Sequence, residues 1–319
     1  MYLSVMNMNA IHTHVIVKNI CYLQIAVGIS ASTVLLLLHI FMFLEDGRVK
    51  AAELITCHLA LIHIVMLLVA LEFLSPDMFE SLNLENDFKC KALFYVSRVM
   101  RGLSICTTCF LSVLQAITIS PRTSWMVKAK HALTSYTIHI FLFFWLLNLF
   151  FSSGVILYAV AYSNRSQTNL LAVSEHCSLN PTTFITRRLF FILTLSRDVF
   201  FVGLMLFSSA YMVVLLFWHH RRSLHLQRCS LSARYSPEQR ATQTTLILVS
   251  VFVLTYWVNL IISSRSTLLW IYEPVLLNLQ KLVLNAYATV CPVTQMTFQK
   301  RIHDIMRLMC WKFHILEGE

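Results

Sequence analysis

Residues 90–121 read CKALFYVSRVMRGLSICTTCFLSVLQAITISP, and the way this stretch folds decides the architecture of the whole chain. Arg98 and Arg101 lie three residues apart, and an uncharged run follows from Gly102 to Ser120 before Pro121 closes it. A run of that length is long enough to cross a bilayer, since about 20 helical residues rising ~1.5 Å each cover the ~30 Å hydrocarbon core. The arginines cannot face lipid cheaply, because a charge at the centre of a membrane helix costs roughly 2.5–3.5 kcal/mol even on the gentlest scale. They must turn toward other helices or a wet cavity. This helix is therefore expected to be the charged centre of a bundle, with the remaining segments packed round it.

Composition agrees. Hydrophobic residues make up 57% of the 319 residues, charged residues only 13%, and the mean hydropathy is +0.68. Soluble domains are nearer 45–50% apolar and about 25% charged. The alternation of a membrane β-barrel is absent, as are the internal repeat of many transporters and any low-complexity segment. The fold class expected is all-α, an integral membrane bundle of seven transmembrane helices. The net charge of +10 lies mostly in loops assigned to the cytoplasm, so it does not point to nucleic acid. The first nineteen residues lack an apolar core ahead of a small-residue cleavage site, so no cleaved signal peptide is expected.

The spans are expected at about 20–44, 51–74, 90–119, 131–160, 189–218, 241–264 and 274–296. They form one domain over 20–296, between an extracellular N-terminus (1–19) and a cytoplasmic tail (297–319). Ser236-Pro237-Glu238-Gln239 reads as a capping box with Ser at the N-cap and Pro at the first helical position, so the sixth helix should begin in the aqueous loop. Fourteen Lys and Arg fall in the loops and tail of one side and six on the other. The richer side, which carries Arg122, Lys128, Arg221, Arg222 and Arg240, is assigned to the cytoplasm. The chain is then a multi-pass protein of the plasma membrane with its N-terminus outside. Asn164-Arg165-Ser166, a glycosylation acceptor sequence, falls on the outer side, as do Cys90 and Cys177. An oxidising compartment favours a bridge between those two cysteines, the alternative being two free thiols. The other seven cysteines show no metal-ligand spacing. Cys106 and Cys109 read as packing, and Cys310 stands where a lipidated cysteine would meet the inner leaflet.

No enzyme motif, metal site or cofactor site is expected. The charges within the spans carry what chemistry there is. Arg98, Arg101, Arg197, Asp198 and Lys281 all fall in the outer half, with Glu72 ending the second helix on the same side. Four cations against two anions cannot pair completely. One reading is structural: Asp198 and Glu72 neutralise some of the cations and the rest reach water or carbonyls. The other is an outward-opening pocket with a positive bias, suited to an anionic or polar ligand. On the inner side, the basic loops and the ends of the third, fifth and sixth helices make a positive surface that suits a cytosolic partner or the membrane surface itself.

Several phrases together resemble one family: LITCHLALIHIVMLL at 54–68, RVMRGLSICTTC at 98–109, LQAITISP at 114–121, SEHCSL at 174–179, RDVFFVGLML at 197–206, SPEQRATQT at 236–244, SSRSTLLW at 263–270 and NAYATV at 285–290. They are similar to vomeronasal type-1 receptors, G-protein-coupled pheromone receptors, and the likeness runs from the first helix to Pro292. It implies a receptor for small social-odour molecules that couples to Gi/Go-class heterotrimeric G proteins in the lipid bilayer, with a Cys90–Cys177 bridge and a glycan on Asn164. It implies a ligand bound between the outer halves of helices three, five, six and seven. Because RVMRG, RDVFF and QKLV resemble framework shared among receptors for different ligands, the resemblance favours the structural reading of the buried charges. As in that family, Thr118-Ile119-Ser120 stands near the place of the acidic-arginine-tyrosine triplet of rhodopsin-like receptors, and NAYATVCP stands where they carry Asn-Pro-x-x-Tyr.

Four positions depart from the pattern: Ser32 where an Asn is usual, Val49 and Ala51 in the first inner loop, and Cys291 in place of Ser. An Asn at 32 would tie helices together, and Ser reaches less far, so stability or surface expression is the expected casualty. A bitter-taste receptor, a transporter or channel, and a non-signalling relic are the alternatives.

Overall fold

The computed structural model describes residues 2–46, 50–75, 86–121, 124–154, 156, 159–161, 171–172, 177–179, 184–226, 237–269 and 274–298. Among them the chain forms eight helices: α1 (Tyr2–Asp46), α2 (Ala51–Leu74), α3 (Asn86–Ile119), α4 (Ser124–Ser135), α5 (Thr137–Ser152), α6 (Phe184–Leu226), α7 (Pro237–Leu269) and α8 (Pro274–Phe298). Three short strands lie between α5 and α6: β1 (Ala159–Ala161), β2 (Leu171–Ala172) and β3 (Cys177–Leu179). They form an antiparallel sheet with β3 in the middle, pairing Ala159 with Leu179 and Leu171 with the same residue on its other side.

The helices form the seven-span bundle expected, with α4 and α5 together making the fourth span. Five helices are long and apolar enough to cross a membrane alone, and the bent α4–α5 pair brings the number to six. The seventh, α8, is 25 residues long, which covers ~37 Å. It is too polar among its described residues to pass the same test. Asn278, Gln280, Lys281, Asn285, Thr289, Thr294 and Gln295 all lie along it. It holds its place by packing against α1, α2 and α7.

Helix α3 is the axis. It touches α2, α4, α5, α6, α7 and the strand β1. Its most apolar window is 72% buried, against 28–39% for the four other unbroken spans. The main core gathers round it through Leu103, Cys106, Phe110 and Leu114, packed on Ile55 and Leu59 of α2, Met205 of α6 and Phe252 of α7. The outer faces are apolar and unpacked, as a bilayer requires: Leu146, Phe207 and Trp218 are 69%, 73% and 74% exposed.

Several boundaries differ from the reading of the sequence. Helix α1 is helical from Tyr2, so residues 2–19, read as an N-terminus ahead of the first span, continue its helix. The apolar limit near residue 20 marks a membrane edge; no proline or glycine precedes Gly28 to stop a helix there. Helix α6 likewise runs well past both ends of its apolar run. The fourth span is not one helix over 131–160. It breaks at Tyr136, where α4 and α5 meet at 66°. There Thr137 Oγ1 lies 2.8 Å from Leu133 O and 3.1 Å from Thr134 O, its one proton shared between the two carbonyls. The helix then stops at Ser152, ahead of Gly154, and residues read as its last turn become β1. A Cβ on Gly154 would overlap the Phe190 ring of α6, so only glycine allows that approach. Helix α7 begins at Pro237, where the capping motif put it; Ser236 lies outside the described residues.

Candidate functional site

The site is built from α3 outward. The side chain of Arg197 on α6 curls back along its own helix, and both its Nε and Nη2 donate to Asp198 Oδ1, at 2.9 and 2.6 Å. Its Nη1 donates to Asn148 Oδ1 of α5 at 2.6 Å, and its guanidinium lies 5.7 Å from the centre of the Phe151 ring. Asn148 Nδ2 in turn donates to Phe144 O at 2.8 Å and approaches Cys106 Sγ of α3 at 3.6 Å. All of this crosses α3 at Gly102. A Cβ there would overlap Asn148 Oδ1 and stand 2.7 Å from Arg197 Nη1, so α5 and α6 meet through the space that glycine leaves. Arg197 and Asp198 are thus mutually satisfied, as the structural reading of the buried charges expects. Glu72 goes elsewhere. Its carboxylate pairs with Lys89 at the start of α3, at 2.5 Å.

Two neighbouring threonines of α3 face opposite neighbours. Thr107 Oγ1 lies 3.2 Å from His58 Nδ1 of α2, and Trp145 Nε1 of α5 donates to His58 Nε2 at 3.1 Å. An indole N–H can only donate, so Nε2 accepts and Nδ1 carries the proton that it gives to Thr107. Thr108 Oγ1 lies 2.8 Å from the Tyr287 hydroxyl of α8. His63 Nε2 meets Ser104 Oγ at 3.2 Å and its ring stands edge-on to Tyr287 at 5.3 Å. The sequence reading missed these contacts. His58 and His63 are five residues apart and share no helical face, yet both reach α3, at Thr107 and Ser104.

Beside this network lies a small cavity open to solvent, about 40 Å³, room for a few waters. Met66 of α2, Arg101 and Ser104 of α3, Phe252 and Tyr256 of α7, and Leu284 and Tyr287 of α8 are among its walls. No residue of α6 lines it. It lies among the second, third, sixth and seventh spans, whereas the sequence reading set its pocket between helices three, five, six and seven; Arg197 turns toward α5 and Gly102. Of the five pocket candidates, only Arg101 lines this cavity. Arg98 and Lys281 are half-buried and engaged with other groups, Lys281 within electrostatic reach of Cys21 on α1.

The comparisons with known proteins point one way. The sequence model of the "Vomeronasal organ pheromone receptor family" matches residues 15–308. The chain belongs to the vomeronasal type-1 receptor family. It is 43% identical over 288 residues to "Vomeronasal type-1 receptor 90" of Rattus norvegicus, covering 90% of this chain and 92% of that one. It is 39% identical over 303 residues to "Vomeronasal type-1 receptor 45" of Mus musculus, covering 95% of each. "Crystal structure of squid rhodopsin" superposes with a TM-score of 0.69 at 16% identity, covering 93% of this chain and 84% of that one, which shows the G-protein-coupled receptor fold.

At the C-terminal end of α3 in this vomeronasal type-1 receptor, Ser120 Oγ stands 2.8 Å from the Tyr211 hydroxyl of α6, and about two turns back along α3 Ser112 meets Ser208 at 2.7 Å. Lys128 on α4 and Arg221 on α6 are exposed, Arg221 over the Phe217 ring at 5.9 Å. Arg222 and Arg240 lie on α6 and α7, but their side chains, like Arg122, Val49, Asn164 and Cys310 altogether, fall outside the described residues. Cys90 is buried and disulfide-bonded. Cys21, Cys57, Cys106, Cys109 and Cys291 are free thiols, and no group able to hold a metal occurs among the described residues. Ser32 is wholly buried, and its hydroxyl has no partner among the described residues.

Proposed function

We propose that this vomeronasal type-1 receptor detects small pheromone-like social-odour molecules from the extracellular side and activates a Gi/Go-class heterotrimeric G protein, itself catalysing nothing. Family membership carries the reading, and the cavity round Arg101, about 40 Å³ and open to solvent, marks the place between four helices where a ligand would seat itself by parting them. A ligand there touches α2, α3, α7 and α8 at once, and biases the bundle by its difference in affinity for the inactive and active arrangements. The asymmetry of Lys and Arg supports an outer N-terminus and an inner C-terminus. On the inner face Lys128 and Arg221, with Arg122, Arg222 and Arg240, are the candidates to meet the G protein. Outside, the reading includes a glycan on Asn164 and a bridge from Cys90 to Cys177. The register supports the bridge: Cys177 pairs with Ala161 of β1, and β1 packs against α3.

Family membership sets aside the bitter-taste and transporter readings. The unpartnered Ser32 hydroxyl favours one rival, a folded relic with weakened signalling. Nucleotide exchange on purified Gi/Go heterotrimer, driven by the receptor reconstituted in vesicles and offered a panel of small odorants, separates the two. Ligand-dependent exchange is expected. A folded receptor that stays silent across a wide panel favours the relic.

A further inference from the structure

We propose that α4 is a membrane-surface helix, its Lys128 and Lys130 holding the anionic headgroups of lipids in the inner leaflet. The proposal rests on the orientation in the receptor reading above and assigns a partner to a surface remote from the cavity.

The fourth span ends short. Helix α5 has 16 residues and covers ~24 Å, less than the ~30 Å hydrocarbon core. The membrane surface therefore falls at the bend or within α4. Beyond that bend of 66°, the 12 residues of α4 advance only ~7 Å along the α5 axis. One headgroup layer is about as deep, roughly 5–8 Å on each side of the core. The whole of α4 thus stays level with the headgroups instead of running on into water. The exposed side of α5 agrees. Ile138, Leu142 and Phe143 are apolar and unpacked from the first turn after the bend, where acyl chains begin. Tyr136 stands exposed at the bend itself, edge-on to His139 at 5.8 Å, and such amphipathic rings favour the interface.

The side chains of α4 are sorted to match. Met126, Ala129 and Leu133 form one half-buried stripe, and Leu133 packs on the main core. The other side chains from Val127 to Ser135 are exposed. At about 100° per residue, Lys128 and Lys130 stand about 160° apart, one on each flank, with Val127 and His131 between them. An exposed valine between two lysines suits a helix lying on a bilayer. The apolar centre dips toward the acyl chains and the long amines reach sideways to the headgroups. Charge complementarity names the headgroup. No Asp or Glu occurs between Asp87 and Glu175, and neither lysine has an ion pair or hydrogen bond among the described residues. Phosphatidylserine and other anionic lipids of the cytoplasmic leaflet supply the missing charge. A cytosolic protein would have to enter the headgroup layer to reach both flanks, so lipid is the favoured partner.

The test is photo-crosslinking of the full-length receptor in phosphatidylcholine nanodiscs doped with phosphatidylserine. A trace of either lipid carries the same photoreactive group beside its headgroup, and peptide mapping reads the label on residues 124–139. The serine lipid is expected to label α4 more strongly than the choline lipid, by about 5-fold for each lysine. Lys128→Gln and Lys130→Gln should each lower that preference about 5-fold, the double variant should abolish it, and added salt should weaken it. Lys50→Gln is the control. Lys50 is exposed on the same side of the membrane but off α4, with Glu53 4.0 Å from its amine, and its loss should leave the labelling of α4 unchanged. The proposal falls if the two lipids label α4 equally, or if soluble glycerophosphoserine competes as well as the lipid, which would mark a site for free anions. It falls too if the double variant keeps the preference; weakened nucleotide exchange in that variant would then give the lysines to the G protein. A tag after Glu319 that stains on intact cells would overturn the leaflet together with the orientation. Exchange also separates this proposal from the receptor reading. A lipid preference at α4 in a receptor that drives no exchange with any odorant keeps the proposal and overturns the receptor. Odorant-driven exchange with no such preference does the reverse.

Discussion

Gly102 shows how much one missing methyl group decides. The contact from α6 through Arg197 to Asn148 on α5 passes over it, and a Cβ would overlap the Asn148 oxygen. Gly102→Ala is expected to cost about 1–3 kcal/mol by overpacking, and more if Arg197 loses its amide partner, read as a lower Tm of the purified receptor and lower surface expression. Asn148→Ala tests the same contact from the other side. It leaves one guanidinium donor unmet and should destabilise by roughly 1.5–3 kcal/mol. Ser32 is the opposite case. Its buried hydroxyl meets no partner among the described residues, so Ser32→Ala removes a cost and should raise stability by ~1 kcal/mol or leave it unchanged. A marked loss of Tm in that variant would mean the hydroxyl is bonded after all. The sequence marked Ser32 as an oddity because an Asn was expected. It could not show the consequence, since whether a hydroxyl finds an acceptor depends on neighbours far away in the chain.

At the scale of the element, α3 works by dividing its bonds. Thr107 turns to α2 and Thr108 to α8, because successive helical residues point about 100° apart. Their energetics should therefore separate. In thermal unfolding, Thr108→Val and Tyr287→Phe are expected to couple by roughly 0.6–1.7 kcal/mol, the range measured for hydrogen bonds between membrane helices. Thr108→Val and His58→Asn should add independently, and strong coupling between them would show that the two arms move as one. Much of this element was legible beforehand. A long uncharged run with two arginines at its outer end can be stable only inside a bundle, and α3 is inside. The break between α4 and α5 was not legible, because the residues round Tyr136 include no proline or glycine. The back-bonding of Thr137 does not explain it, since Thr255 makes the same pair of contacts within an unbroken α7. The facing of the buried charges was not legible either. Charge in the sequence located Arg197 and Asp198 in the outer half, but which way a side chain turns depends on a gap left by a glycine on another helix.

At the scale of the molecule, the sheet and the proposed bridge fix the long outer connection to the top of α3. Loss of the bridge through Cys90→Ser should cost about 4 kcal/mol if it closes the long loop to Cys177. Peptide mapping without reductant should find the two cysteines joined, and a different partner for Cys90 would refute the pairing. Seven spans and their order could be read from hydropathy, since each had only to be apolar over a bilayer's thickness. The seventh was the least certain on that ground, and with reason: α8 is tolerated in the membrane because α1, α2 and α7 enclose its polar side. That arrangement has a bearing on biosynthesis. Helix α1 makes its most extensive contacts with α8, the last of these helices to leave the ribosome. The first helix to enter the bilayer must wait there, its Gln24 and Ser32 turned toward lipid or chance neighbours, until nearly the whole chain has been made. An unfinished receptor is in this sense an unclosed ring, and the longer it stays open the longer Gln24 and Ser32 are exposed to wrong partners.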